Sequence, residues 1–173
     1  FMDSGPNNYG QRINLLNHTI DYLKNDNNIE FVYKPHTRNN KKHYRNSSIT
    51  IANEINSINL IKWADIVIGS TSSIMINVLQ LKKIFILPSY LLDKKMLFQE
   101  YKACIDLKNL NELKKFIKKY NTEKLTFKDC FDQKNLDNFI GDIVYNKFQK
   151  TDLLKNYADF LKKIVNDKTD DIY

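Results

Sequence analysis

The stretch WADIVIGSTSSIMINVLQLKK, residues 63–83, decides the fold. Asp65–Gly69 is short, apolar and β-branched, the composition of a parallel strand covered on both faces. Ser70, Thr71, Ser72 and Ser73 follow as a run of small hydroxyl residues, and apolar side chains then return at helical spacing at Ile74, Val78 and Leu81. The order is strand, polar turn, helix. In such a turn the first backbone N–H groups of the helix have no partner within it, and the helix dipole adds partial positive charge, so an anion is favoured there. The hydroxyls of Thr71, Ser72 and Ser73 suit two tasks, capping the helix or meeting phosphate oxygens, and residue type alone does not separate them.

Working outward, the same alternation recurs. Upstream, a helix is expected from Gln11 to Lys24, with Ile13, Leu16, Ile20 and Leu23 on one face and NDNN ending it by competing for backbone hydrogen bonds. Ile29–Tyr33 reads as a strand, and KPHTRNNKKHYR, residues 34–45, as a polar, basic loop. Ile49–Ala52 is a short strand, and Ser57 is the expected cap of a helix over Ile58–Ala64. At the start, Phe1–Asp3 reads as the tail of a strand, followed by SGPNNYG, a turn in which Gly5 leaves room for close backbone approach. Downstream, Ile84–Leu87, closed by Pro88, and Cys104–Leu107 read as strands, with loop and helix between Leu91 and Tyr101. Asn109 caps a helix carrying Leu110, Leu113, Phe116, Ile117 and Tyr120 on one face. Two further amphipathic helices are expected at Leu136–Phe148 and Leu154–Ile164, before a frayed tail.

Strands alternating with helices predict an α/β domain, a doubly wound parallel sheet of Rossmann-like type covered on both faces. Residues 1–150 form that domain in this reading, and residues 151–173 a C-terminal helix and tail. With the strand order common to the class, 3-2-1-4-5-6, ligands bind at the carboxyl ends beside the first strand. The loops that meet there are Ser4–Asn8, Lys34–Arg38 and Ser70–Ser73.

The 173 residues suit one domain with its own core, and the apolar fraction of 42% is that of a globular chain. No apolar run approaches the roughly 20 residues of a membrane helix. The net charge of +7 comes largely from lysines spread over helix surfaces, such as Lys114, Lys115, Lys118 and Lys119. The aromatics fall at core spacing rather than among the basic residues, which argues against nucleic acid as a partner. Attraction to an anionic substrate, or to the anionic inner face of a membrane, fits that charge better. Cys104 and Cys130 make no metal spacing and no disulfide framework, so a reducing, cytoplasmic setting is expected. His18, off its helix's apolar stripe, and His43, within KKHYR, read as solvated.

Lys34, His36 and Arg38 leave one strand, and the hydroxyl cluster opens the helix after another, on either side of the Gly5 turn. A cation, an imidazole and a helix start facing one crevice are what a diphosphate or phosphodiester needs. KPHTR after a strand, with ADIVIGSTSS and a helix some three dozen residues on, resembles the donor-binding half of GT-B glycosyltransferases carrying paired histidine-proline and Ser-Ser motifs. These include sialyl- and polysialyltransferases, capsule Kdo transferases and CDP-glycerol glycerophosphotransferases. The resemblance spans residues 30–119 and extends into LQLKKIFILPSYL.

It implies a metal-independent transferase of bacterial surface polysaccharide synthesis, with His36 contacting the donor phosphate and Ser72 and Ser73 gripping phosphate or nucleotide. No cofactor is implied, the nucleotide-activated donor being substrate. Gly5, Lys34, Arg38, Ser70 and Thr71 complete the expected donor site. Thr37 stands where the family places a proline. Asn77 stands where many GT-B enzymes place a ribose-binding glutamate, which favours CMP- or CDP-linked donors. The resemblance also implies a preceding N-terminal acceptor domain that supplies the general base, so the chain is expected to be part of a longer protein. The competing readings are a sugar-nucleotide 2-epimerase-like domain, which would need catalytic carboxylates in the cleft, and a non-catalytic nucleotide-binding or scaffold module.

Overall fold

The computed structural model describes residues 10–35, 49–52, 54–69, 72–145, 155 and 157–159. Helix α1 (Gly10–Asn25) leads to strand β1 (Val32–Tyr33), and the next described elements are β2 (Thr50–Ile51), α2 (Ser57–Trp63) and β3 (Ile66–Ile68). Then follow α3 (Ile74–Gln80), β4 (Ile84–Pro88), a 3₁₀ turn at Ser89–Leu91, α4 (Leu97–Glu100) and β5 (Ile105–Leu107). The remaining elements are α5 (Leu110–Glu123), α6 (Phe127–Cys130), α7 (Gln133–Phe139) and a π turn at Ile140–Val144. The chain is thus α/β, with every described strand pair parallel.

The strands form two short sheets. In one, β1 pairs with β2, Val32 opposite Thr50 and Tyr33 opposite Ile51. In the other the order is β3-β4-β5, with Val67 opposite Phe85 and Leu87 opposite Asp106. Because side chains alternate across a strand, β3 and β4 of the larger sheet each feed two cores. Val67, Phe85 and Leu87 face α2, α3, α4 and α7 through Ile61, Met75, Val78, Phe98 and Phe139. Ile68, Ile84 and Ile86 face α1 and α5 through Leu23, Leu113 and Ile117. Phe98 meets Phe85 edge-on, ring centres 5.0 Å apart, and Phe139 at 4.9 Å, so three elements lock through one ring. A third cluster, Leu16, Ile20, Tyr33 and Ile49, seats α1 on the smaller sheet.

Several elements differ from the sequence reading. The strand expected over Ile29–Tyr33 contracts to Val32–Tyr33, since the amide of Ile29 donates to Asp26 O (3.0 Å) and the chain is still turning there. The cap of α2 is Asn56 rather than Ser57: its side chain accepts from the Ile58 amide at 2.8 Å. Helix α3 buries Met75, Val78 and Leu79, and Leu81, expected in the core, is exposed where the helix ends. The helix expected at 136–148 starts three residues earlier, at Gln133, where Asp132 caps α7 by accepting from the Asn135 amide, and it passes into the π turn at Ile140–Val144; residues 146–148 lie outside the described residues, and the short α6, closed by extended Phe131 (φ −135°, ψ 136°), was not expected. Asn109 caps α5 as expected, accepting from the Glu112 amide at 2.9 Å. The strand expected at Phe1–Asp3 and most of the helix at 154–164 lie outside the described residues, though 155 and 157–159 are helical.

Candidate functional site

Of the expected donor-site residues, Lys34, Ser72 and Ser73 are described, and they follow the carboxyl ends of parallel strands, the end at which α/β domains place ligands. Lys34 follows β1 directly and is 8% exposed, one of two buried polar side chains among the described residues. β3 runs into Gly69, whose amide donates to Ile86 O at 3.1 Å and extends the ladder by one residue before the chain turns. The turn then opens α3. Ser72 Oγ accepts from the Ile74 amide at 3.4 Å, and the amides of Met75 and Ile76 donate to the carbonyls of Ser72 and Ser73, both at 3.1 Å. Of the two described hydroxyls of the cluster, Ser72 is therefore the one that caps. Ser73 stands at the N-cap position with no side-chain capping bond and is exposed.

β1 and β3 line opposite walls of one cavity of about 260 Å³. Phe31, Val32 and Lys34 stand on one side, and Ile66, Val67 and Ile68 on the other. Lys34 is thus one of the lining residues of a mostly apolar cleft between strands. Ser72 and Ser73 belong to the adjoining turn and are not among its lining residues. Gly5, His36, Arg38, Ser70 and Thr71, and with them most of the phosphate-binding constellation, lie outside the described residues, as does His43. His18 is exposed, in line with its reading as a surface residue.

The same end of the sheet carries contacts the sequence reading did not single out. Arg12, in the first turn of α1, pairs with Asp93 just past the 3₁₀ turn that follows β4. Seven residues further along α1, Thr19 Oγ1 donates to Leu15 O (2.8 Å), so the bond between Thr19 Oγ1 and Tyr90 Oη (2.8 Å) takes its proton from Tyr90. Burial raises the Tyr90 phenol above its usual range. Partners this far apart in the chain leave no local pattern to read.

At β5, Asp106 accepts from Gln99 Nε2 (2.8 Å) and from Lys108 Nζ, tying α4 to the strand. Burial works against the carboxylate, but the hydrogen bonds from Gln99 and Lys108 outweigh it and hold Asp106 below the ordinary carboxyl range. Cys104, two residues before Asp106 and just ahead of β5, is pushed up to about 12, first by burial and then by Asp106. Such a thiol is a poor nucleophile at neutral pH. Among the described residues, no group of three or more His, Cys, Asp or Glu is placed to hold a metal, and no helix is long and apolar enough to cross a membrane.

Comparison with protein-family models, curated proteins and solved structures finds no match to the chain.

Proposed function

We propose that the chain is the donor-binding half of a GT-B-type glycosyl- or glycerophosphoryl-transferase, using a CMP- or CDP-linked donor to build a bacterial surface polysaccharide. One observation carries the reading. The two motif segments start at the carboxyl ends of β1 and β3, the strands that face each other across one cavity, with Lys34 buried on its wall. Loops leaving such strands are where α/β domains gather ligand contacts, and helices on both faces of the larger sheet suit the doubly wound half of a GT-B enzyme.

In this reading Lys34 and Arg38 offset the charge of the donor diphosphate, and Ser70, Thr71, Ser72 and Ser73 present hydroxyl and amide donors to its oxygens. His36 touches the phosphate that leaves with the nucleotide and donates a hydrogen bond or proton as the bond to the sugar or glycerol breaks. The acceptor and the base that deprotonates it belong to a preceding domain. No cofactor takes part, the partner is the nucleotide-activated donor, and work beside the inner membrane face suits the +7 charge.

A thermal-shift series with CMP, CDP, UDP and ADP tests this. Stabilisation by the cytidine nucleotides that disappears in His36→Ala is the expected result. Equal indifference to all four nucleotides points instead to a scaffold module, and a response to UDP alone to an epimerase-like site.

A further inference from the structure

The helices beside the larger sheet end at the amino-terminal edge of its strands, opposite the carboxyl ends at which Ser72 and Ser73 stand. α2 runs into β3, α3 into β4 and α4 into β5. The last turn of α5 returns to the same edge, where burial and then the Asp65 charge raise the Tyr120 phenol. Among the described residues, three other than glycine take positive φ, and each is an exposed lysine closing one of these helices: Lys82 after α3 at 54°, Lys102 after α4 at 53° and Lys124 after α5 at 53°. Glycine is the ordinary residue at such a stop. A lysine within the last turn would answer the helix dipole equally well without leaving helical backbone, so the dipole alone does not account for these positions.

The same edge exposes large apolar side chains. Ile66 lies opposite Ile84, so Trp63 and Leu81, each three residues ahead of its strand, stand side by side, ahead of strands about 4.8 Å apart. They are 48% and 36% exposed. Lys62 precedes Trp63 and Lys82 follows Leu81, both exposed. Ile86 lies opposite Ile105, which sets Lys102 level with Lys83 at the entry to β5. The exposed carboxylates beside them, Asp65 and Glu100, leave the edge cationic, and Glu123 is taken by Lys119 at 3.7 Å. An indole and a leucine set among lysines suit an anionic lipid surface, the apolar groups entering the headgroup region while the ammonium groups meet its phosphates. We propose that this edge docks on an anionic membrane, so that the carboxyl ends of β3, β4 and β5, and the donor site with them, open away from the bilayer. The inference rests on the reading that the chain works at a membrane face, and adds which surface meets it.

The test uses the full chain, in which Trp63 is the one tryptophan and so its own reporter. With vesicles containing phosphatidylglycerol, Trp63 emission is expected to shift to the blue and to be quenched by brominated acyl chains; pure phosphatidylcholine vesicles are expected to do neither. Replacing Lys82, Lys102 and Lys124 together by glycine is expected to weaken vesicle binding about a hundredfold, roughly fivefold per lysine. Its Tm is expected to hold or rise, because glycine relaxes the left-handed backbone, and that pairing separates lost docking from lost folding. Lys94→Gln, Lys95→Gln and Lys114→Gln together remove the same charge away from the edge and are expected to leave binding in place. Leu81→Gln, at an exposed position, is expected to reduce the quenching and gives an independent reading if the glycine variant folds poorly. No response to anionic vesicles, an equal response to neutral ones, or binding of single-stranded RNA in place of vesicles overturns both the inference and the membrane reading. Binding kept by the glycine variant and by Leu81→Gln, or lost as fully in the glutamine variant, overturns the assignment of this edge alone; the nucleotide thermal shifts with His36→Ala report on the donor reading separately.

Discussion

Three side chains show how single residues tie distant parts of this chain together. Thr19 is fully buried with its hydroxyl between Leu15 O and the Tyr90 phenol. Thr19→Val keeps the shape and removes the acceptor, leaving a half-buried phenol unpaired. The expected cost is about 1–3 kcal/mol, read as a lower urea midpoint at unchanged slope. Phe85 is also fully buried and meets Phe98 edge-on. Phe85→Ala is expected to cost about 3–5 kcal/mol, with a matching fall in Tm. Asp106 adds a pH dependence. Its carboxyl is held below the ordinary value in the folded chain, so its contribution is complete above about pH 4 and fades as pH falls through the lower folded value. Denaturation midpoints followed from pH 5 down to pH 2.5 should therefore fall less steeply in Asp106→Asn than in the unaltered chain.

At the scale of elements, what holds each helix end decided how well the sequence could be read. The α5 boundaries were legible because Asn109 is a strong cap ahead of a long stripe, and Leu113 and Ile117 are buried as the spacing requires. Asn109→Ala should cost about 1 kcal/mol, seen by thermal melting. Short elements read less well. α3 has seven residues, too few to average out periodicity, so the stripe of Ile74, Val78 and Leu81 gave way to Met75, Val78 and Leu79. Asp132 and Asn56 act as caps through hydrogen bonds to the chain two or three residues on, while Ser57 offered an equally good residue type one position later. The stops of α3 and α5 were hidden for another reason. Lys82 and Lys124 take left-handed backbone, at φ 54° and 53°, where glycine would be the ordinary signal. Lys124→Gly removes that strain and is expected to stabilise the chain by about 0.5–1 kcal/mol, measurable as a rise in Tm.

Over the whole molecule, the alternation of strand and helix carried the α/β class and the parallel pairing, because a short apolar run followed by an amphipathic one leaves few other arrangements. The stretch 63–83 is where this succeeded most fully: strand and helix follow in the order their residues predict, with Ser72 capping the helix. The candidate site was legible only in part. Lys34 and Ser72 fall past strand ends, as parallel topology demands, but the contacts of Arg12 with Asp93 and of Thr19 with Tyr90 join residues far apart in sequence and could not be read from spacing.

The β1–β2 ladder pairs two residues, whereas β4 is bonded along both edges and buried along its full length. Resistance to opening should therefore be graded across the molecule. In native-state amide exchange, Ile86, at the centre of β4, is expected to exchange only through global unfolding, and Ile51 through a smaller, cheaper event. The margin holding β1 and β2, and with them Lys34, is then a fraction of the whole domain's stability, and a ligand bridging the two sheets would raise the protection of Ile51 well before that of Ile86.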